Sequence, residues 1–516
     1  MSRYAATLAV IHLDRTSSTP LYLQLYENIR RAVSTGQLAI GTRLPSTRDL
    51  ATSLGVSRNT VTSAFDQLLA EGYIEGKVGA GTYVAEVDVI PNQQPGLLSS
   101  HATASPCTLS QRGQTMLSLR DTIFRYRHDP IRAFRPGVPA LDAFPVEVWS
   151  RLMTQHWRYA QPDLLSYGDP CGYRPLRECI AEYLQLSRAI RCHPDQVIVV
   201  SGSQQALDIT ARVLLDPGDA AWMEDPGYIG ARNVFLGAEI NLIPVPVDAQ
   251  GLNVEVGKFK YPHAKLAYVT PSHQFPLGYT MSLARRLELL EWAYQVGAWI
   301  VEDDYDSEYR YQNQPLAALQ GLDDSGRVIY MGTFSKVLFP SLRLGYLVVP
   351  PGLVDAFAAA RAVCDRHSPL FEQAVLTDFI REGHFSRHLR RMRMLYAERQ
   401  ATLVSAAHKL SPYLNVQACE AGMHLIGWLP PEVDDRSLSQ DLAQQGITAP
   451  ALSTYRLEPS PCAGLVLGYA AINSETIQSA VKQMASTLPG AIHQSLKAST
   501  KEIAYFSTPN VLRSAS

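Results

Sequence analysis

No Cys-x-x-Cys pair and no tight cluster of cysteine and histidine occurs in the 516 residues. The seven cysteines (Cys107, Cys171, Cys179, Cys192, Cys364, Cys419 and Cys462) are scattered. That spacing argues against a structural metal module or a disulfide scaffold, and leads us to expect no metal site and reduced thiols in a cytoplasmic compartment. No apolar run approaches the roughly 18 residues that span a bilayer, and the first residues lack a continuous apolar export signal. No membrane partner is expected. An excess of one charge is missing too: 46 Lys+Arg stand against 48 Asp+Glu, for a formal net charge of −2. Any grip on nucleic acid must therefore come from a local patch. With 46% hydrophobic and 18% charged residues, the chain is that of a folded protein long enough for more than one domain.

Composition divides the chain into four parts. Residues 1–88 are compact and balanced in charge, with eight basic and eight acidic side chains. Residues 89–124 read as a flexible linker: from Val89 to Ser118 the only Lys, Arg, Asp or Glu is Arg112. Residues 125–488 alternate short β-rich runs such as VIVVSG, KLAYVT, WIVEDD and VIYMGTFS with helical periodicity. This is an α/β pattern with a mostly parallel sheet. Residues 489–516 are polar, show little periodicity and read as a loose tail.

In the first part, Leu25, Ile29 and Val33 space an amphipathic helix over 20–34. Ser46 with Asp49 forms a capping box, Gly55 and Val56 make a turn, and Ser57 caps the next helix, whose apolar stripe is Val61, Ala64, Phe65 and Leu68. This is helix-turn-helix punctuation. It places Arg58, Asn59 and Thr60 on the first turn of the second helix, where such motifs meet base edges and phosphates. YIEGKVGAGTYVA then alternates as two strands around a glycine turn at Gly79. The segments LPSTRDLA, LGVSRNTV and EGYIEGKVGAGTYVA resemble the winged helix-turn-helix of the GntR regulators. That resemblance implies a double-stranded DNA operator as partner, contacted by Arg48, Arg58, Asn59, Thr60 and the wing at Gly79.

In the third part, GTFSKVLFPSLRLGY sets Lys336 after a strand and small hydroxyl residues. A lysine so placed can form a Schiff base with an aldehyde cofactor. Thr333, Ser335 and Arg343 are groups that hold phosphate. SGSQQALD puts Ser203 and Gln204 at a helix start, where anions are favoured, and WIVEDDYDSEY puts Asp303 and Tyr305 after another strand. The succession SGSQQALD, EDPGY, TPSHQFPLG, EDDYDSEY, TFSK resembles the fold-type I pyridoxal-phosphate enzymes of the aspartate aminotransferase superfamily, over about residues 126–488. The resemblance makes Lys336 the Schiff-base lysine, Asp303 the partner of the pyridine nitrogen and Tyr305 the partner of the phenolic oxygen. It makes Tyr228 the aromatic on the ring, and Ser203, Gln204, Ser335 and Arg343 the phosphate cup. His273, with Gln274, falls near the ring, and Tyr167 is set to reach the phosphate of a neighbouring subunit. Where aminotransferases carry a carboxylate-binding arginine this chain reads AGLVLGYAAI, which leaves Arg456 as the nearest candidate for an effector carboxylate.

A GntR-like head joined to an aminotransferase-like body resembles the MocR regulators. The resemblance implies a cytoplasmic, PLP-dependent transcription regulator, a homodimer whose heads cross to the other subunit's body, that senses PLP itself or a small amine or amino acid through aldimine chemistry at Lys336. A catalytically active aminotransferase with an attached DNA-binding head is the alternative, and a body serving only dimerisation is a third. Arg387, Arg390, Arg391 and Arg393 make a basic helix face, and His424 lies among apolar residues as a packed core histidine.

Overall fold

The structure is a computed structural model that describes residues 5–77, 80–86, 108–123, 131–311 and 316–506. The chain forms two compact units, Met1–Thr108 and Leu109–Ser516.

In the first unit the helix Leu21–Ser34 buries Leu25, Tyr26, Ile29, Ala32 and Val33. The short helix Thr47–Leu54 opens where the Ser46 hydroxyl accepts the Asp49 amide, and it closes on Gly55 at φ 62. A left-handed residue there costs glycine nothing, and it turns the chain at once into the helix Arg58–Ala70. Strands β1 (Ile74–Lys77) and β2 (Gly81–Val84) pair antiparallel from Ile74↔Val84 to Lys77↔Gly81. The helices Leu21–Ser34, Thr47–Leu54 and Arg58–Ala70 and both strands feed one apolar cluster around Leu25, Ile29, Leu50, Val61, Leu68 and Val84.

The second unit is built on an eight-stranded sheet, ordered β3-β10-β9-β8-β7-β4-β5-β6. Its strands are β3 (Val197–Val200), β4 (Ala220–Asp225), β5 (Asn241–Asp248), β6 (Gly251–Leu252), β7 (Leu266–Val269), β8 (Trp299–Asp304), β9 (Val328–Thr333) and β10 (Gly345–Val348). From β9 across to β5 all pairings are parallel, while β10 and the short β6 run antiparallel to their neighbours. Period-two alternation loads both faces. Ala221, Met223, Leu266, Tyr268, Val301 and Ile329 face one apolar cluster. Ala220, Trp222, Ala267, Val269, Ile300 and Val328 face the other, where Trp222 stacks on Trp292 with ring centroids 3.7 Å apart. Burial on both faces is what makes these strands near-continuous apolar runs. A smaller sheet of β11 (Asn415–Val416), β12 (His424–Trp428) and β13 (Gly464–Gly468) follows.

Two segments differ from the sequence expectation. Part of the expected linker is ordered: the helices Gln111–Ser118 and Arg120–Ile123 belong to the second unit and pack on the helix Ile229–Gly237. Ser110 caps the first by accepting the Gly113 amide at 3.1 Å, and Met116 lies against Gly237, where any side chain would collide with it. A polar composition concealed this because the anchoring surface lies over a hundred residues away in sequence. The expected loose tail is helical as far as Phe506, in a helix that starts at Ser474 and runs through Pro489. Ile477, Val481, Met484 and Leu488 bury its first turns and anchor it.

Candidate functional site

The parallel strands end together, and the loops after their C-terminal ends converge on a cavity of about 410 Å³. Ligands of open α/β sheets bind in this position. Ser203 and Gln204 follow β3, Tyr228 follows β4, Tyr305 follows β8 and Lys336 follows β9; with Asp303 and Thr333 at the ends of β8 and β9, all seven line the cavity.

Lys336 Nζ donates to the Gly137 carbonyl at 2.7 Å. Burial pulls its pKa below the ordinary lysine value, against the opposing pull of Asp306 and Asp303, while Arg135 and Arg343 add to the lowering. More of the amine is therefore uncharged and nucleophilic. At the cavity floor Asp303 accepts the Tyr268 hydroxyl at 2.6 Å on one oxygen, and its other oxygen is buried without a partner. Burial raises this carboxyl to about 7. A protonated ring nitrogen would answer the open oxygen and hold the charge on it.

The phosphate end fits equally well. Gly202 sits at φ 112 just before the helix Ser203–Leu214, and a Cβ built there would lie 3.3 Å from the Arg343 guanidinium. Glycine thus lets the Arg343 guanidinium come up against the start of this helix, and a cation beside a helix N-terminus favours an anion. The buried Ser335 hydroxyl has no partner. Gln204 Nε2 donates to the Tyr228 hydroxyl at 3.3 Å, tying the aromatic to the same helix start. Asp303, Ser335, Arg343 and the Gly202 cradle are the groups a pyridine ring bearing a phosphate requires.

His273, Gln274 and Arg456 do not line the cavity. His273 stands behind Tyr305, whose hydroxyl lies 2.9 Å from His273 Nδ1, and that nitrogen also faces the Asp306 carboxylate at 3.0 Å. Burial alone would lower the imidazole, but Asp306 outweighs it and lifts His273 to about 10. Gln274 turns away from the cavity toward Glu224 and the Pro226 carbonyl. Arg456 also misses the cavity wall, which Tyr455 supplies, and its Nε is buried without a partner. Arg456 follows the 3-10 turn Leu452–Tyr455 in extended backbone. Tyr167 is 79% exposed, under Arg366 and outside the cavity of its own chain.

His424 is buried as expected, with Nε2 on the Pro276 carbonyl at 2.9 Å, yet it also lines the cavity. Burial and the neighbouring His273 lower it to about 3, so it stays neutral. His273, Asp306 and His424 offer ligand atoms within 4.8 Å of one another. His273 Nδ1 is shared between Tyr305 and Asp306 and His424 Nε2 is held by Pro276, while His273 Nε2 is buried without a partner.

Sequence reading missed Glu224, Tyr268, Asp306 and Gly137. Glu224 is buried, is raised to about 7 by that burial, and accepts the Thr270 amide and hydroxyl, which fixes the loop after β7. Asp306 stood in the acidic run after β8. The others carry no local signal, because their partners are distant in sequence.

In the head, Arg48, Arg58 and Asn59 are exposed, and Thr60 is partly buried with its hydroxyl 2.9 Å from Ser57 Oγ. Arg58 Nε donates to Thr47 Oγ1 at 3.4 Å, and Arg15 braces the turn through the Gly55 carbonyl at 2.7 Å. The Arg43 guanidinium lies beside Gly81, where β2 leaves the turn of the wing. Gly79 lies outside the described residues. Arg387, Arg390, Arg391 and Arg393 are exposed on the helix His384–Ala407.

Residues 21–84 match the gntR family of bacterial regulatory proteins, and residues 137–484 match the aminotransferase class I and II family. The chain is 46% identical over 92% of its length, and 95% of the relative's, to the probable rhizopine catabolism regulatory protein MocR of Rhizobium meliloti. The chain belongs to the MocR-type regulators of the GntR family. The chain is also 31% identical to the HTH-type pyridoxine biosynthesis transcriptional regulator PdxR of Corynebacterium glutamicum, over 91% of this chain and 96% of that one. The body of this MocR-type chain is similar to LysN, an alpha-aminoadipate aminotransferase of Thermus thermophilus solved with N-(5'-phosphopyridoxyl)-L-leucine. That likeness has a TM-score of 0.69 and 27% identity, covering 74% of this chain and 98% of LysN. The MocR-type regulator described here is thus a PLP-dependent transcription regulator with a DNA-binding head.

Proposed function

We propose that this regulator holds PLP on Lys336 and senses either the cofactor or a small amine or amino acid that takes the lysine's place on it. The observation that carries this reading is the desolvated Lys336 amine, hydrogen-bonded to an uncharged carbonyl on the cavity that Asp303 also lines. When bound, the cofactor supplies an aldehyde that condenses reversibly with primary amines. The chain's residues do the rest. Asp303 holds a proton at the ring nitrogen, and Tyr305, backed by His273, faces the phenolic oxygen. Tyr228 covers the ring, and Ser203, Gln204, Ser335 and Arg343 take the phosphate.

The output is a linkage. Ligand and DNA binding are coupled only if the ligand binds two arrangements of the protein with different affinity. In our reading the active form is a cytoplasmic homodimer in which Tyr167 reaches the neighbour's phosphate and crossed heads present Arg48, Arg58, Asn59 and Thr60 to paired half-sites. The wing at Gly79 joins them. The test is a visible absorbance titration with PLP and then amines, alongside operator binding, for wild type and Lys336→Ala. A lysine-dependent band and an amine effect on DNA binding that the variant lacks support the reading, and an amine effect that survives in Lys336→Ala overturns it.

A second reading, an active aminotransferase with an attached head, is favoured by the complete set of Lys336, Asp303 and Tyr305. Turnover of amino donor and keto acid, lost in Lys336→Ala, would establish it.

A further inference from the structure

Asn233 lies on the helix Ile229–Gly237, is 8% exposed and lines the cavity. Its amide Nδ2 donates to the Thr122 hydroxyl oxygen at 3.0 Å. The orientation of the amide is decided one step further out, because the Thr122 hydroxyl spends its own hydrogen on the Leu119 carbonyl at 2.8 Å. Thr122 can then only accept, so Asn233 must turn its nitrogen to it. The Asn233 oxygen is left buried and without a partner. A buried acceptor with no donor is an unmet cost that a ligand can relieve.

The surroundings narrow what such a ligand offers. Ile229, Phe275, Met423 and Tyr455 make the neighbouring wall largely apolar. Among the described lining residues the only carboxylate is Asp303, which is committed to the cofactor ring. A second ammonium on the ligand would meet no counter-charge there, whereas a hydroxyl donates one hydrogen bond at no electrostatic cost.

We propose that Asn233 is a specificity residue for a hydroxylated primary amine, whose amine end reaches the cofactor on Lys336 and whose hydroxyl donates to the Asn233 oxygen. The inference rests on the reading that amines exchange at Lys336. It also gives the ligand a physical handle on the regulator. Thr122 sits in the helix Arg120–Ile123, outside both family matches, in the stretch of chain between them. A ligand on Asn233 loads the peg that holds this stretch to the body.

The test uses the full-length, PLP-loaded protein and its visible absorbance. Ethanolamine, 3-amino-1-propanol and 4-amino-1-butanol are titrated against their isosteres n-propylamine, n-butylamine and n-pentylamine. At one chain length the amino alcohol should bind about tenfold more tightly than its isostere, since a site built around a hydroxyl rejects the analogue lacking it. Asn233→Leu should bring that ratio to one while the cofactor band, which reports an intact fold, persists. Thr122→Val should narrow it by freeing the amide. A wild-type response with ratios near one at every length, or a ratio unchanged in Asn233→Leu, overturns this inference alone. No spectral response to any amine overturns the exchange reading and this inference together.

Discussion

Lys336 Nζ donates its hydrogen bond to the carbonyl oxygen of Gly137, a residue 199 positions earlier in the chain. The contact joins the loop after β9 to the segment that begins the aminotransferase match. The acceptor is an uncharged carbonyl oxygen.

Because burial depresses the Lys336 pKa, the unfolded chain keeps its proton there to higher pH than the folded chain does. Between the depressed value and the ordinary one near 10.4, stability of the cofactor-free protein rises with pH. Lys336→Met should therefore raise the melting temperature at pH 7, with a gain that shrinks toward pH 10. A gain equal at both pH values would show that the lysine is not desolvated.

Asp303 has the opposite sign. Its folded pKa is raised to about 7 from an ordinary value near 3.9. The folded state binds the extra proton, so stability falls as pH rises from about 4 to 7, and the cost persists above that. Asp303→Asn should melt higher than wild type at pH 8 and equally at pH 4 in the cofactor-free protein. In the loaded protein the same change should weaken PLP binding, because the ring nitrogen loses its counter-charge. Spectrophotometric titration at pH 8 checks the second half.

Gly202 tests the phosphate cradle. At φ 112 any other residue is strained, and a Cβ would press on Arg343. Gly202→Ala should raise the Kd for PLP by about tenfold or more, worth about 1.4 kcal/mol. Binding of pyridoxal, which lacks the phosphate, should change far less, and an equal loss for both ligands would place the effect in the fold.

On the head, Arg58→Ala should weaken specific operator binding by roughly 1–3 kcal/mol if the guanidinium forks to a guanine. Ser57→Ala removes the cap that accepts the Thr60 amide at 3.1 Å and should cost about 1 kcal/mol of head stability. Binding to matched and mismatched operators separates the two. Arg58→Ala relaxes sequence preference, whereas Ser57→Ala lowers affinity for both alike.

Much of this was legible in one dimension wherever cause and effect lie within a turn or two of each other. Ser46, Ser57 and Gly55 announced the helix-turn-helix because caps and turns are local, and the observed caps use those residues. Lys336, Asp303 and Ser203 announced the cofactor site because each sits at the end of its own strand, and strands are read from short apolar runs. What could not be read were relations between strands. His273 sits in a motif that resembles a ring contact, yet the loop after β7 turns it behind Tyr305. Residues 111–123 have the composition of a linker, yet they form helices because the helix Ile229–Gly237 offers them a surface.

The sequence by itself therefore determined the order of parts, the DNA-reading motif and the chemical type of the site, since local spacing and residue type set helix, turn, strand end and titratable group. Tertiary structure alone decided the rest. It buried Lys336 and Asp303 so that their proton affinities move in opposite directions, closed Arg343 over Gly202, turned Arg456 off the wall, and left the Asn233 oxygen open. Each depends on desolvation or on contact between residues distant in the chain, and neither exists until the fold brings them together.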